Sequence, residues 1–416
     1  MRVPSGGPRG RARGSVWGLP EFRALAVAGL LSGTGDQLAR VALSVLVYDR
    51  TSSPLLTALT YALTFLPAVV GGPLLAGLAD RLPRRRLMVS VNLTQTVLVA
   101  AMALPRMPLL GLLGLLVGVG VLAAPFSAAR AALVPDVTAD RYVAALVVDR
   151  NLHQTAQVLG FAGSGLLLLV FSPTSALLTD AGSFLVSAVL IHRWVHPRPP
   201  AHPDRQSSDT GGRVRRAVSD ARLGWDTIWA GREIRRAVLL TWTVAAFAIV
   251  PEELAAPYAR QLHGGTVLVA LLLTANPAGN LASGVWARRW SEHHPAQLLG
   301  PLAQLVVLPL AVCALNPPTP VVLALIAASG IGMTVSILAR TVFVAHVPPP
   351  VRGRAFALAG TGITVAQGLA VAAAGGAASA FTPSTVIGAA GLLGSAAVLA
   401  LLTATRPTTR VASVTT

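Results

Sequence analysis

The sequence predicts an all-α integral membrane protein with twelve transmembrane helices arranged as two six-helix halves. Three observations predict this class: an apolar composition, long runs without charged residues, and arginines concentrated between those runs. Of the 416 residues, 53% are hydrophobic and only 12% are charged, with a mean hydropathy of +0.65. A soluble protein of this size needs a more polar surface, so a cytosolic enzyme is excluded.

The apolar runs give the number of membrane passes, because a helix needs about 20 apolar residues to cross about 30 Å of hydrocarbon. Four uncharged runs in the first half each predict one pass: 51–79, 87–105, 107–129 and 151–179. Two more passes, 22–48 and 175–194, each carry an aspartate in mid-run. Passes of the second half fall at 237–258 and 266–286, with two in 295–339 and two in 355–405.

A polar stretch separates the two halves. Its second part has apolar residues at helical spacing, which predicts an amphipathic helix lying on the membrane surface. The predicted organisation is a basic tail (1–21), a first half (22–194), a central loop (195–236), a second half (237–405) and a second tail (406–416).

Arginine positions predict the orientation. All 33 basic residues are arginines, against 16 acidic residues, which gives a net charge of +17. Basic clusters fall in the tails, the central loop and alternate short loops, whereas the other loops keep only Arg50, Arg106 and Arg260. By the positive-inside rule, both termini then lie in the cytoplasm. The composition is typical of a GC-rich bacterial genome, so we expect a multi-pass protein of the bacterial inner (plasma) membrane.

The two halves repeat each other in the same direction. The pair Ala129-Arg130 in the fourth pass is matched by Ala339-Arg340 in the tenth, about 210 residues later. A parallel repeat of six-helix halves places the substrate cavity between the halves near the bilayer midplane. Rocking of one half on the other then opens this cavity to each side in turn.

The loop after the second pass carries the most specific motif. It contains Gly72-Pro-Leu-Leu-Ala-Gly-Leu-Ala-Asp80-Arg81-Leu-Pro-Arg84-Arg85-Arg86 and resembles the signature loop of the major facilitator superfamily. Asp80, Arg81, Arg84 and Arg85 match that signature, while Ala76 and Pro83 replace its two glycines. This variant, together with segments 32–36, 124–136 and 352–354, resembles the drug and siderophore exporters of the superfamily, a group of drug–proton antiporters that includes enterobactin exporters.

The resemblance implies a conformational latch. Asp80 at a helix end can pair with arginines of the same loop or of a neighbouring helix, and so hold the cytoplasmic side in one state. The latch residues are then Asp80, Arg81, Arg84 and Arg85. Alternatively, the arginines only fix the topology, and the two roles are compatible.

Antiporters of the superfamily often carry a Gly-Pro, two residues and Gly-Gly in the fifth helix. This chain has Gly160, Gly163 and Gly165 there, with Phe161 in place of the proline and Ser164 in place of a glycine. The departures weaken the antiport assignment. The three glycines are still predicted to allow close helix packing.

Ionisable residues inside the membrane are costly and are candidates for function. Asp36 and Arg40 lie four residues apart, hence on one helix face, where they can form an ion pair. A carboxylate whose arginine partner moves away on rocking can take up and release a proton, so Asp36 and Arg40 are proton-coupling candidates, although a permanent structural pair is an alternative. Glu252 and Glu253 are further candidates, either lining the cavity or at its outer mouth; adjacent residues point about 100° apart, so at most one is expected to face the cavity.

Other polar residues within the predicted passes are cavity candidates. The set is Arg130, Gln154, Gln157, Asp180, Asn276, Asn280, Arg340 and Gln367. Asn276 and Asn280 share a helix face by their spacing. Buried amides in a membrane either bridge helices or contact a ligand, so a structural role is the alternative for each of them, and for Asp180.

The remaining patterns exclude other classes. The chain has no lysine and no phosphate-binding loop, so it cannot hydrolyse ATP by that motif. One cysteine and no metal-binding spacing predict neither a metal nor a cofactor. We therefore expect a monomeric membrane transporter, not an enzyme, whose partners are a small-molecule substrate, protons and the lipid bilayer, with no nucleic acid.

The expected function is proton-coupled efflux of a small amphipathic organic compound, such as a drug, siderophore or secondary metabolite. The export direction follows from the resemblance alone. The same architecture allows an importer or uniporter of a small metabolite. A non-transporting scaffold and a membrane-embedded lipid enzyme are remote alternatives, the latter because the acidic residues are scattered over different helices.

Overall fold

The computed structural model describes residues 15–63, 82–170, 172–198, 222–291 and 295–404, and every regular element in these ranges is helical. The first half contains α1 (Pro20–Thr51), α2 (Pro54–Ala62), α3 (Arg84–Met102), α4 (Leu109–Thr138), α5 (Tyr142–Val170) and α6 (Pro173–Trp194). A short helix follows at 222–230. The second half contains α7a (Arg232–Ala248), α7b (Val250–Glu253), α7c (Ala255–Gln261), α8 (Thr266–Ser291), α9 (Pro295–Ala311), α10a (Thr319–Gly332), α10b (Val335–His346), α11 (Pro349–Ala377) and α12 (Pro383–Ala404).

Eight helical stretches in the described ranges are long and apolar enough to cross a membrane. They comprise α4, α6, α7a with α7b, α8, α9, α10a with α10b, α11 and α12. Helices α1 and α5 have 32 and 29 residues but are more polar, since α1 contains Asp36 and Arg40 and α5 contains Asp149 and Arg150. The all-helical membrane class is therefore confirmed.

Several helices extend beyond the uncharged runs. Helix α4 continues to Thr138, past the end of its uncharged run at Ala129. Helix α5 runs from Tyr142 to Val170, so it begins and ends earlier in the chain than the predicted pass at 151–179. Pro173 then occupies the first turn of α6, where its missing N–H costs nothing. An uncharged run marks the hydrocarbon core, whereas a helix continues into the polar interface, so the two boundaries differ.

Two prolines interrupt the seventh pass. Pro251 and Pro257 have no N–H to give to the carbonyls of Phe247 and Glu253, four residues earlier. The pass therefore consists of α7a, α7b and α7c, with breaks at Ile249 and Leu254. Glu252 and Glu253 lie in the middle segment.

Helix packing repeats between the halves. In the first half, α1 packs on α5 and α6, and α3 packs on α4 and α6. In the second half, α7a packs on α11 and α12, and α9 packs on α10a and α12. Between the halves, α5 contacts α8 and α2 contacts α11. Moving each helix number by six converts one set of contacts into the other, so the two halves are structural repeats.

One apolar cluster joins the two halves. We call the side on which α1 begins and α12 ends the terminal side, and the opposite side the far side. On the far side, Val41 and Phe161 of the first half are buried together with second-half residues such as Leu254, Leu272 and Ile326. The described clusters towards the terminal side each belong to one half. Among the described residues, the halves therefore share an apolar cluster on the far side and none on the terminal side, which indicates a cleft between them there.

Glu21 ties the start of α1 to the segment after α6. Arg198 donates a hydrogen bond of 2.7 Å to this carboxylate, and His196 also contacts it. Partial burial alone would raise the pKa of Glu21, but the bonds and positive charges of Arg198 and His196 outweigh burial and lower it. The stabilisation is present above the ordinary carboxylate pKa and is lost as the pH falls through the lowered value.

Helices α8 and α10a approach closely enough for backbone contact. A Cβ atom at Gly279 would overlap the carbonyl of Ala327, and one at Gly330 would overlap the carbonyl of Asn276. Close approach through glycine is a common basis of helix association in membranes. This pair of helices therefore depends on two positions without a side chain.

We expect Gly279→Ala to destabilise the fold, because overpacking against a backbone carbonyl costs about 1–3 kcal/mol. Gly114→Ala in α4 is the matched control, since nothing lies within 4 Å of its Cβ position. The measurement is the thermal midpoint of purified protein in detergent, followed by size-exclusion chromatography. Equal midpoints for the two variants would contradict the close packing of α8 on α10a.

Candidate functional site

A cavity of about 100 Å³ lies within the first half, between α1, α3, α4 and α6. Its polar lining consists of Asp36, Arg40, Gln95 and Asp180. Asp36 and Asp180 interact electrostatically with each other and with Arg40. The cavity therefore brings together three of the predicted charges, Asp36, Arg40 and Asp180.

Asp180 is the most buried member of this group, with 2% of its surface exposed. The Ser183 hydroxyl donates a hydrogen bond of 3.2 Å to its Oδ1 atom. The same carboxylate lies directly against Gly35, where a Cβ atom would overlap it. Helices α1 and α6 therefore meet at Gly35, where a residue with a side chain would not fit.

The two adjacent glutamates of α7b have different surroundings. Glu253 is 3% exposed, and neither of its carboxylate oxygens has a hydrogen-bond partner in the described chain. Glu252 is half-buried and has a polar interaction. Segment α7b contacts α8, α11 and α2, so Glu253 lies near the contact between the two halves.

Polar residues of α4 and α5 cluster in the terminal half of the bundle. Arg130 forms an ion pair with Asp149 and also donates to the Leu25 carbonyl. His153 lies one turn from Gln157, with 3.4 Å between their side-chain nitrogens. Charges of Arg40, Asp149 and Arg130 all act on His153. Gln154 keeps a buried carbonyl oxygen without a partner in the described chain.

A second cavity, of about 220 Å³, lies in the second half between α7a, α10b and α11. Arg340 and Gln367 line it, together with Ser336. Asn276 lies elsewhere, where its amide nitrogen is 3.4 Å from the Ser329 hydroxyl and bridges α8 to α10a. Asn280 is half-buried one turn further along α8.

The latch residues are described only in part. Asp80 and Arg81 lie outside the described residues. Arg84 donates to Asp136 and, at 3.0 Å, to the Ala132 carbonyl at the end of α4. Arg85 donates to the His192 carbonyl at the end of α6. These two arginines thus connect α3 to its neighbours within the first half.

The three glycines of α5 lie at helix contacts. A Cβ atom at Gly160 would be 2.6 Å from the Thr34 carbonyl of α1, and one at Gly163 would be 3.7 Å from Leu38. At Gly165 it would be 2.6 Å from Ala270 of α8, in the other half. Gly160 and Gly163 therefore adjoin α1, and Gly165 adjoins α8 of the other half.

A far-side ion pair connects the halves and was not among the predicted site residues. Arg260 at the end of α7c pairs with Asp49 at the end of α1. The Arg260 guanidinium also lies 4.7 Å from the centre of the Tyr48 ring. The sequence places Arg260 in a predicted loop, but nothing in the chain order indicates that it meets Asp49. Next to the pair is a cavity of about 130 Å³ lined by Val45 and Val269.

The described residues offer no group of three or more histidine, cysteine, aspartate or glutamate side chains that could hold a metal ion. Cys313 is buried as a free thiol in the far-side cluster. The polar groups described above are carboxylates, arginines, amides, hydroxyls and the His153 imidazole, which can bind protons and polar solutes.

We expect Arg260→Glu to loosen the far-side closure, because it places two negative charges together. About half of the Arg260 side chain and half of the Asp49 side chain are exposed, so their ion pair contributes at most about 1 kcal/mol. Loss of that energy would raise the population of the open state about fivefold. The measurement is the rate at which an impermeant maleimide labels Val45→Cys in a Cys313→Ala background. Combining Arg260→Glu with Asp49→Arg should restore slow labelling; equally fast labelling in both variants would contradict the role of the pair.

Comparison with known proteins gives a family and a fold. A profile of the Major Facilitator Superfamily matches residues 25–252. The fold is similar to a POT family transporter solved with 5-aminolevulinic acid (TM-score 0.74, 12% identity, covering 96% of this chain and 98% of that one). Comparison with curated protein sequences finds no match.

Two more solved structures have similar folds. A peptide transporter POT solved with sulfate has a TM-score of 0.69 and 16% identity, with 96% of each chain covered. The nucleoside transporter NupG has a TM-score of 0.67 and 11% identity, covering 92% of this chain and 98% of that one. The family profile covers more than half of the chain, so this protein belongs to the major facilitator superfamily and is a multi-pass membrane transporter of a small molecule, not an enzyme.

Proposed function

We propose that this transporter couples the movement of a small organic solute to protons. The observation that carries the proposal is Glu253, a buried carboxylate without a hydrogen-bond partner in the described chain, in a broken helix beside the contact between the halves. An ionised carboxylate is costly in such surroundings, so the site suits a bound proton. Movement of the halves changes these surroundings and can release the proton to the other side.

We further propose twelve passes, with both tails and the central loop in the cytoplasm. Besides the eight apolar stretches, α1, α3 and α5 have 32, 19 and 29 residues, and at 1.5 Å per residue each spans about 28 Å or more. The described part of α2 begins on the far side and supplies the start of the remaining pass. The arginine distribution then makes the terminal side cytoplasmic, so the described conformation is open to the cytoplasm.

The cavity of the first half is a second proton site. Asp36 and Asp180 share it with one arginine, so the group carries a net negative charge when both carboxylates are ionised. Two carboxylates close together in a low dielectric favour a shared proton. Arg40 stabilises the remaining charge. Movement of α1 relative to α6 would alter this balance.

The contacts of Arg84 and Arg85 support a cytoplasmic latch in the first half. Both arginines hold the start of α3 to the ends of α4 and α6. In the proposed cycle, Asp80 and Arg81 join this group when the cytoplasmic side closes. The glycines of α5 allow α1 and α8 to pack closely against α5, and Gly165 lies at the contact between the two halves.

The two possible directions rest on different observations. The solved structures with similar folds are named as peptide and nucleoside transporters, which supports uptake of a small metabolite, the alternative named above, better than drug export. The loop from Gly72 to Arg86 supports export through its resemblance to exporters. We take uptake as the first candidate and export as the second.

One assay distinguishes the directions of coupling. The purified protein is reconstituted into liposomes that contain a pH-sensitive dye, and a dipeptide, a nucleoside, an organic acid or an amphipathic cation is added outside. Inward flow of a substrate acidifies the interior if protons move with it, and makes the interior more alkaline if protons move against it. Substrate flow without any proton signal would contradict proton coupling.

We expect Glu253→Gln to reduce substrate-driven proton flow more than tenfold, because the amide cannot exchange a proton. Substrate exchange between the two sides, without net proton movement, should persist. Glu252→Gln is the matched control on the same turn of α7b and should retain proton flow. If the Glu252 variant loses proton flow and the Glu253 variant keeps it, the assignment is wrong.

Asp36→Asn is expected to give the same loss, because it removes one of the two carboxylates in the first-half cavity. Asp140→Asn serves as the control, since Asp140 is exposed in the turn before α5. Proton flow and substrate exchange are measured in the same liposomes. Unchanged coupling in Asp36→Asn, with intact folding, would leave Asp36 a structural partner of Arg40.

A further inference from the structure

The cavity of the second half presents hydrogen-bond donors but no acidic side chain. Arg340 and Ser336 lie four residues apart on α10b, hence on one helix face, and Gln367 of α11 lines the same cavity. A guanidinium, a hydroxyl and an amide are the groups that bind carboxylate or phosphate oxygens. None of the residues lining this cavity is aspartate or glutamate.

The lining of the cavity also contains aromatic rings. Trp242 donates its indole N–H to the Ala359 carbonyl at 2.9 Å, and Gly362 leaves room for its ring against α11. Phe343 and Phe356 stack with their ring centres 4.3 Å apart. All three rings line the cavity. Its volume of about 220 Å³ exceeds the ~150 Å³ of a cavity that binds benzene.

A second arginine, from the other half, interacts electrostatically with Arg340 of this cavity. Arg150 of α5 lies close enough to Arg340 for their positive charges to interact across the cleft. Neither arginine has an ion pair within the described residues. The nearby Arg130 is already neutralised by Asp149. The cleft therefore keeps a positive charge that the described protein does not compensate.

We propose that this cavity binds an amphipathic organic acid, with its anionic group on Arg340, Ser336 and Gln367 and its apolar body against Trp242 and the two phenylalanines. The inference deepens the proposed transport function by naming the substrate class. It separates the roles of the charges, since the carboxylates of α1, α6 and α7b serve protons and the arginines of α5 and α10b serve the substrate.

Binding of an anion also has a consequence for the cleft. While the cavity is empty, Arg150 and Arg340 repel each other across the halves and oppose closure of the terminal side. An anion bound between the two arginines replaces their repulsion by attraction, because each arginine is then attracted to the anion. The occupied transporter can close on the terminal side more readily than the empty one, which is the requirement for carrying substrate.

The test uses three probes of similar shape that differ in charge: benzoate, benzamide and benzamidine. Radiolabelled benzoate is bound to purified protein in lipid nanodiscs at equilibrium, and the other two compounds are added as competitors. We expect benzoate to bind at least about tenfold more tightly than benzamide. The carboxylate of benzoate accepts charge-assisted hydrogen bonds, which are stronger than the neutral hydrogen bonds of the amide. Benzamidine should not compete.

Variants locate the binding. Arg340→Gln is expected to weaken benzoate binding about tenfold or more while leaving the weak binding of benzamide unchanged. Arg340→Lys, which keeps the charge, should recover part of the affinity. Arg193→Gln at the exposed end of α6 is the control for a general loss of positive charge and should bind benzoate like the unmodified protein.

Three outcomes would overturn the inference: no saturable binding of benzoate, equal or tighter binding of benzamidine, or unchanged benzoate binding in Arg340→Gln. Because binding is measured without a gradient, it does not depend on proton coupling. Benzoate binding with no proton signal in liposomes would contradict the coupling proposal alone. A proton signal driven only by cations would contradict the anion site alone.

Discussion

The far-side contact between the halves is the interaction on which the described conformation depends. Val41 and Phe161 are buried there against α7c, α8, α10a and α12, while the terminal side has separate clusters in each half. Burial of apolar surface contributes about 25 cal/mol per Å², so a contact of this kind outweighs the half-exposed pair of Asp49 and Arg260. The ion pair therefore adjusts a closure that apolar packing provides.

The positions of the carboxylates fit a protein that moves at this contact. Glu253 lies in a short segment between two breaks caused by Pro251 and Pro257, so its surroundings can change without unwinding a long helix. Asp36 and Asp180 lie instead inside one half, where α1 and α6 meet at Gly35. In the proposed cycle, the first site would respond to the relative position of the halves and the second to packing within one half. Coupling the two would link proton binding to rocking.

The proposed substrate and the proposed coupling are also consistent in charge. An organic anion that moves together with one proton crosses the membrane as a neutral pair, so the membrane potential does not oppose uptake. Exchange of an expelled anion for an entering proton would move two positive charges inward, down a membrane potential that is negative inside. The arginine-lined cavity and the carboxylate proton sites are thus compatible in charge with either direction of coupling.

The sequence alone determined the membrane class, the two-half organisation and the family, because hydropathy, charge and the motif after the second pass are local properties of the chain. Five of the candidate residues from the sequence line one of the two cavities, namely Asp36, Arg40, Asp180, Arg340 and Gln367, whereas Arg130, Gln154, Gln157, Asn276 and Asn280 line neither. The sequence did not separate Glu252 from Glu253, join Asp180 to Asp36, or bring Asp49 to Arg260. Only the tertiary structure decided these, because partners on different helices depend on which helix faces meet, and that is fixed by packing across residues far apart in the chain.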